Sequence, residues 1–426
     1  MKRLVTLFIC VCAYATGWAQ SAVLTLDECR QKAREHYPEV AQYDLIDKSE
    51  KFTLSTAAIL WAPQININGQ ASWQNVVPSF PEQMLQLLQA TGIEMKGLNK
   101  DQYRVGVDIY QHIWDGGISH AQREEAKAKA AQQRAAIDAD LETVEERVDE
   151  LYFSILLLEK QQFSLQATLA LLDTNGMQLE AMLRRGVALQ ADMDQLRAKL
   201  LQTRQSQTNL EAAKTNYRKM LEFFIGQSLE NVTLVEPIEP EQKLPTYDNA
   251  HYKLFDAQQR LFDAQNKKVN SALQPKIGLF ATGFYGYPGY NMFENMLNSD
   301  WSWNMMVGVK FSWSLTPFYT LRNNREQISV GRQQVEVQKQ IYTFNQDLKA
   351  QTESSEIQRL RKLIEQDNEI VLLRQSLRAG QEKKLKHGTV NTTDLLQYIT
   401  DEQVAVSSRN SHEIELLKAL YKTQRL

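Results

Sequence analysis

The chain has 426 residues, a formal net charge of −3 and a mean hydropathy of −0.44. Long tracts dominated by Gln, Glu, Ala, Leu, Lys and Arg exclude a thick globular core and suggest extended, solvated helices. Basic residues alternate with acidic ones along those tracts, which excludes a basic nucleic-acid-binding surface.

Residues 1–19 are expected to form a secretory signal peptide. Lys2 and Arg3 give a charged start, Leu4 to Ala15 an apolar run, and Gly17-Trp18-Ala19 a small-x-small site with cleavage before Gln20. The run is too short for a membrane anchor, and no later segment reaches ~18 consecutive apolar residues. Cys10 and Cys12 follow Ile9 and Val11 rather than a small residue, which argues against lipid attachment. Removal of the leader leaves Cys29 alone, with no intrachain disulfide available and the expected role of a small apolar helix residue.

From Leu26 to about Leu60 the chain is expected to be helical, ending near Pro63 because the residue before a proline resists helix. A strand over about 64–74 follows, with Ile65, Ile67, Gly69, Ala71 and Trp73 on one face and Asn66, Asn68, Gln70 and Ser72 on the other. A loop covers about 76–102, and a second strand, 103–114, sets Tyr103, Val105, Val107 and Ile109 against Arg104, Gly106 and Asp108. After Asp115-Gly116-Gly117, a helix to about Arg185 keeps a 3-4 heptad register through Leu141, Val144, Val148, Leu151, Ile155, Leu165, Leu172 and Leu179. About 70 residues at ~1.5 Å each make a rod of roughly 100 Å that needs a partner helix along its length. Gly186, flanked by Arg184 and Arg185, marks the helix end, and a return helix carries Asp192.

The pattern is then repeated. Val105-Gly106-Val107 recurs 202 residues later as Val307-Gly308-Val309, and the same offset maps Gly186 onto Gly388 and Asp192 onto Asp394. The repeats are expected at 20–234 and 248–426, joined by a Pro-rich, charged linker at 235–247. The second has strands at about 276–285 and 301–314, a loop at 286–300, a long helix from about Arg322 to Lys386, and a turn at Lys386-His387-Gly388-Thr389.

The stretch 301–314 alternates strictly, with Trp301, Trp303, Met305, Val307, Val309, Phe311 and Trp313 against Asn304, Lys310 and Ser312. A soluble sandwich strand also alternates, but aromatic residues near both ends and a length above the ~9–11 residues needed to cross a bilayer favour a membrane strand. Four strands cannot close a membrane barrel, whose smallest form has about eight, and open edges in hydrocarbon are forbidden. The chain must therefore oligomerise. Three copies are favoured, because an eight-stranded barrel fills itself whereas a wider one can conduct. Trp73, Tyr103, Trp301, Trp303, Phe311 and Trp313 are expected toward lipid, and Arg104, Asp108, Asn304 and Lys310 toward the lumen.

Together Leu24-Thr25-Leu26-Asp27-Glu28-Cys29, Ala62-Pro63, Trp114-Asp115-Gly116-Gly117, the Gly-turn segments with Asp192 and Asp394, and the duplication resemble the TolC-like outer-membrane efflux family. The likeness covers essentially the whole mature chain and rests on the order and spacing of these motifs. It implies a mainly α fold with membrane β, in which a trimeric 12-stranded β-barrel continues into a long periplasmic α-helical barrel. It also implies passive export in the outer membrane, driven through a periplasmic membrane-fusion adaptor by an inner-membrane pump. The absence of a G-x-x-x-x-G-K-[ST] loop fits that division of labour.

By the same resemblance, the segment Gly388 to Tyr398 lies at the closed periplasmic entrance. Asp394 falls on the first acidic ring position, and the second is Gln397 rather than Asp. Asp192 matches an acid that links helix pairs, while the Tyr and Arg found opposite it in some members are Leu385 and Val390 here. The alternative for both acids is a helix-start carboxylate that complements the helix dipole.

Other signals weigh less. The six histidines show no H-x-x-x-H or H-E-x-x-H spacing, so no metal site is expected. Met292, Met296, Met305 and Met306 are explained by loop and lipid-facing packing, and Asp115-Gly116-Gly117 by a strand-to-helix turn. No hydrolase constellation is present, so the chain is not expected to be an enzyme or to need a cofactor. A non-conducting envelope-spanning coiled coil and a type I protein-secretion duct remain the alternatives.

Overall fold

The structure is a computed structural model, and it describes residues 22–95, 97–240, 248–386 and 391–425. The expected signal peptide, residues 241–247 of the expected linker, and Gly388 and Val390 of the expected second turn lie outside the described residues. The chain divides into two compact units, each drawing on both halves of the sequence. The first takes its described residues from Met1–Tyr43, Ala135–Lys253 and Lys339–Leu426, and the second from Asp44–Arg134 and Leu254–Gln338.

In the first unit, β1 (Ala22–Leu24) leads into α1 (Leu26–His36). Thr25 caps α1 reciprocally: its N–H donates to Glu28 Oε2 at 2.8 Å, and Glu28 N–H donates to Thr25 Oγ1 at 3.3 Å. The continuous helix expected to about Leu60 is broken early. Pro38 holds Tyr37 in extended conformation (φ −61°, ψ 131°), and a 3-10 turn at Pro38–Val40 precedes α2 (Ala41–Ile59). A short parallel pairing that the sequence pattern did not reveal joins β1 to β4 (Val232–Leu234). The Tyr152 hydroxyl lies 2.6 Å from Val235 O and 3.0 Å from Leu24 O, tying the two strand ends to one buried ring.

Tyr152 belongs to α4 (Ile118–Arg184), which with α5 (Gln190–Ile225) forms the first helical hairpin. The heptad register is visible in the burial of Leu141, Val148, Ile155 and Leu172, all fully inaccessible. Leu221 and Leu229 close the core against Cys29 and Ala33. The second hairpin is α8 (Thr316–Lys386) with α9 (Thr392–Thr423). Helices α2, α4, α8 and α6 (Ala250–Ser271) each contribute residues to both units. Residues 235–240 have no regular structure but are anchored, Glu236 to Lys160 at 2.8 Å and Glu239 to Arg361 at 2.7 Å. Among the described residues, no helix is long and apolar enough to cross a membrane.

The second unit is organised on one antiparallel sheet of order β2-β3-β5-β6, where β2 is Gln64–Trp73, β3 Asp101–Trp114, β5 Lys276–Tyr287 and β6 Ser302–Ser312. β2 and β6 are its edges. The strand from 276 reaches Tyr287 rather than 285, and β6 is shorter than the expected 301–314 stretch, leaving Trp301 and Trp313 just outside it. Asp115 makes the turn into α4. Its carboxylate accepts from Gly117 N–H at 2.9 Å and Ser119 N–H at 2.7 Å, satisfying donors of the helix start.

The two loops of the sheet contain helices that the pattern had not distinguished from coil, α3 (Glu82–Ala90) and α7 (Met292–Leu297). They share a small core of Leu98, Tyr287 and Met296. Tyr287 Oη accepts from Asn99 N–H at 2.9 Å, and Phe80 stacks on Phe293 at 6.0 Å.

Candidate functional site

The ladder registers sort the sheet into two chemically distinct faces. Ile65 pairs with Ile109, Ile109 with Ala281, and Ala281 with Val307; one row along, Ile67, Val107, Gly283 and Met305 are likewise in line. One face is therefore apolar across all four strands apart from Asp101 and Gln111, and it is open: Ile67 is 79% and Met305 76% exposed. Aromatic side chains gather near its ends. Trp301 stacks on Tyr103 at 6.4 Å and Tyr285 meets Trp303 at 5.2 Å, with Trp73 nearby in register. At the other end stand Phe311 and Trp313, whose Nε1 donates to Leu273 O at 2.9 Å.

The opposite face carries Asn66, Asp108, Thr282 and Met306 in one row, then Asn68, Gly106, Phe284 and Asn304, then Gln70, Arg104, Gly286 and Ser302. Arg104 Nη2 donates to Gln70 Oε1 at 2.5 Å, Asn68 Nδ2 donates to Asp108, and Asn304 Oδ1 accepts from Tyr290 N–H at 2.6 Å. Lys310 is on the same face and exposed. Arg104, Asp108, Asn304 and Lys310 thus share one face, and Trp73, Tyr103, Trp303 and Phe311 the other. Three aromatic residues of the polar face, Tyr110, Phe280 and Phe284, were missed by alternation alone.

In the first unit the helix turn and the acids form a second candidate region. Gly186 adopts φ +70°, a left-handed conformation that glycine takes without steric penalty, and its N–H donates to Leu183 O at 3.0 Å. Asp192 is occupied locally, its Oδ2 accepting from Leu189 N–H at 2.9 Å at the start of α5. Asp394 is not. At the start of α9 the cap is Asn391, whose Oδ1 accepts from Asp394 N–H at 2.8 Å, and the Asp394 carboxylate is exposed without a hydrogen bond among the described residues. Gln397 donates to Asp401 at 2.8 Å, and Arg374 also holds Asp401, at 2.7 Å. Thr393 Oγ1 donates to Gln195 Oε1 at 2.7 Å, joining the two hairpins.

The profile of the outer membrane efflux protein family matches residues 30–227. Over that segment the chain is similar to the outer membrane efflux protein family. Its fold agrees with those of solved outer-membrane proteins. The outer membrane protein VceC of Vibrio cholerae is 14% identical, with 94% of this chain and 96% of that chain covered at a TM-score of 0.64. CusC, a protein described for its transmembrane channel formation, is 14% identical at 93% and 91% coverage with a TM-score of 0.67. The MtrE outer membrane channel of Neisseria gonorrhoeae is 14% identical at 93% and 88% coverage with a TM-score of 0.62. A comparison with curated proteins finds no significant match.

Leu385, which departs from the polar residue that the resemblance gives for some family members, is 5% exposed in a cluster with Leu172, Leu179, Leu196 and Ile399. Polar contacts between the hairpins are made by Thr393 with Gln195, by Asn175 with Glu382 at 3.4 Å and by Lys160 with Glu413 at 3.1 Å, for which the sequence held no distinguishing signal.

Proposed function

We propose that this protein is an outer membrane efflux protein, the outer-membrane exit duct of an efflux system. The observation that carries the reading is the sheet: one face apolar across all four strands apart from Asp101 and Gln111, exposed, with aromatic ends and two unpaired edges. In water such a face would drive aggregation. In a bilayer it is the outside of a barrel wall. The strands, from 10 to 14 residues long, suit the ~9–11 residues that a tilted crossing needs.

Closure requires other copies of the chain. Three copies supply twelve strands, pair every edge, and leave a lumen too wide to be filled by side chains. Trp73, Tyr103, Trp301, Trp303, Phe311 and Trp313 then form the lipid-facing girdle, and Arg104, Asp108, Asn304 and Lys310 line the lumen. The helical hairpins form the periplasmic portion. Gly186 marks an entrance turn, with Asp394 and Gln397 lining the constriction and Asp192 holding a helix start beside it. The duct is passive, and a periplasmic adaptor and an inner-membrane pump supply cargo and energy. No cofactor takes part.

Envelope fractionation followed by single-channel recording from the purified oligomer tests this. Outer-membrane recovery and a defined conductance are expected; a soluble periplasmic monomer would overturn the reading.

A further inference from the structure

The polar face of the sheet is electrically unbalanced. Its charged side chains are Arg104, Asp108, Lys276 and Lys310, three cations against one anion. Arg104 is engaged by Gln70, and Asp108 by Asn68. The two lysines differ. Lys276 pairs across β5–β6 with Ser312, which makes Lys310 its diagonal neighbour, at a separation of about 7–8 Å. Neither lysine has an ion pair or hydrogen bond among the described residues. Asp108, the one acid of this face, lies two rows away from Lys310. Nearby cations of the flanking helices are already engaged, Lys268 with Glu125 at 2.8 Å and Arg325 with Asn270 Oδ1 at 2.7 Å. Like charges set this close destabilise a sheet, and nothing on the face offsets them.

Aromatic rings adjoin the pair. Tyr110 and Phe280 face each other across β3–β5, one row from Lys310. Both lie along the sheet over glycine. A Cβ on Gly278 would fall 2.5 Å from the Tyr110 ring, and one on Gly308 2.8 Å from the Phe280 ring. The glycines let the rings lie flat on the backbone, where any larger residue would push them away. His112 meets the Tyr110 ring edge-on at 4.8 Å. A flat aromatic surface beside two uncompensated ammonium groups has a definite complement, a solute with an anionic group next to a ring.

We infer that the Lys276–Lys310 pair with Tyr110 and Phe280 forms a selectivity zone for aromatic organic anions (carboxylates, sulfonates or phosphates) in the wall of the duct. The inference rests on the duct reading, in which this face lines the lumen and each added copy of the chain repeats the zone.

The test uses the full-length oligomer in planar bilayers. Reversal potentials in a KCl gradient are compared between the wild type and Lys276→Gln/Lys310→Gln, so that the contribution of Asp394 is common to both. The chloride-to-potassium permeability ratio is expected to fall by about threefold or more in the variant. Lys276→Arg/Lys310→Arg retains the wild-type ratio and controls for assembly. Naphthalene-1-sulfonate is expected to block the wild type at concentrations about tenfold lower than methanesulfonate does. An unchanged permeability ratio in the glutamine variant, or equal block by the two sulfonates, overturns the selectivity zone while leaving the duct intact. Absence of any conductance from the wild-type oligomer overturns the duct reading, and this inference with it.

Discussion

Arg30 and Asp149, 119 residues apart in the chain, form a two-pronged ion pair: Nε to Oδ1 at 2.7 Å and Nη2 to Oδ2 at 2.8 Å. Both side chains are largely withdrawn from solvent, at 16% and 11% exposure. Arg425 approaches the same carboxylate, Nε to Oδ2 at 3.3 Å, so residues near both ends of the described chain meet on one helix. Removing Asp149 would leave Arg30 with only the exposed Asp27, at 2.8 Å, and Arg425 with Glu145, at 3.1 Å, in a partly dry site, which is costlier than losing an exposed pair. Asp149→Ala is expected to destabilise the protein by about 3 kcal/mol, read as a lowered thermal midpoint in detergent. Loss of under about 1 kcal/mol, the range of exposed pairs, would contradict this account.

Glu142, in the same unit, behaves oppositely. Burial is the largest influence on its carboxyl and raises its pKa above the ordinary 4.5, with Glu146 and Glu145 adding to the rise and Ala250 N–H and Arg425 opposing it. Its Oε2 is buried without a hydrogen-bond partner. The folded state therefore holds the proton more tightly than the unfolded chain. Its contribution to stability is full below the unfolded value and is lost as pH rises through the folded one. Glu142→Gln should accordingly be more stable than the wild type at neutral pH, by about 1 kcal/mol if the orphan oxygen is the main defect. The advantage should vanish below pH ~4. Melting curves of both proteins between pH 4 and 8 check the sign.

The sheet contains a sharper contrast between two glycines. A Cβ on Gly106 would sit 2.7 Å from Gly283 O and 2.7 Å from Phe284 Cβ, neither of which can move freely. On Gly283 the nearest atom is Asn304 O at 3.8 Å. Gly106→Ala should destabilise the sheet by about 1–3 kcal/mol, whereas Gly283→Ala should be tolerated within ~0.5 kcal/mol. Equal thermal midpoints for the two variants would show that the close approach of β3 and β5 does not matter.

Features set by strong local periodicity were legible in the sequence. The alternating strands placed Arg104, Asp108, Asn304 and Lys310 on a shared face, and the heptads of α4 placed Leu141, Val148 and Ile155 in the core. Features set by tertiary contact were not. The β1–β4 pairing involves three residues per strand, too few for a pattern, and is fixed by the Tyr152 hydroxyl from a distant helix. The α3 and α7 segments are short and polar in part, and α7 is held by the packing of Met296 against Tyr287 and Leu98. Pro38 was a local signal that should have divided the first helix. The aromatic residues of the polar face escaped notice because alternation separates faces but does not say that a ring can lie flat over Gly278 or Gly308. Asp192 and Asp394, proposed at the entrance, occupy equivalent sequence positions, and their hydrogen bonds distinguish them.

That difference gives the last prediction. Asp192 is an internal acceptor for Leu189 N–H, so Asp192→Ala should cost about 0.5–2 kcal/mol of stability, as lost helix caps do. Its effect on ion selectivity should be small. At Asp394 the capping work is done by Asn391, leaving an exposed carboxylate whose removal does not unsatisfy the helix. Asp394→Ala should therefore melt within ~0.5 kcal/mol of the wild type and shift the reversal potential in a KCl gradient toward anions, because the proposed ring of fixed negative charge is lost. Asp394→Asn, which keeps the shape and removes the charge, should give the same shift. If instead Asp192→Ala moved the reversal potential and Asp394→Ala moved only the melting point, the two acids would have exchanged roles, and the entrance would have to be rebuilt around α5.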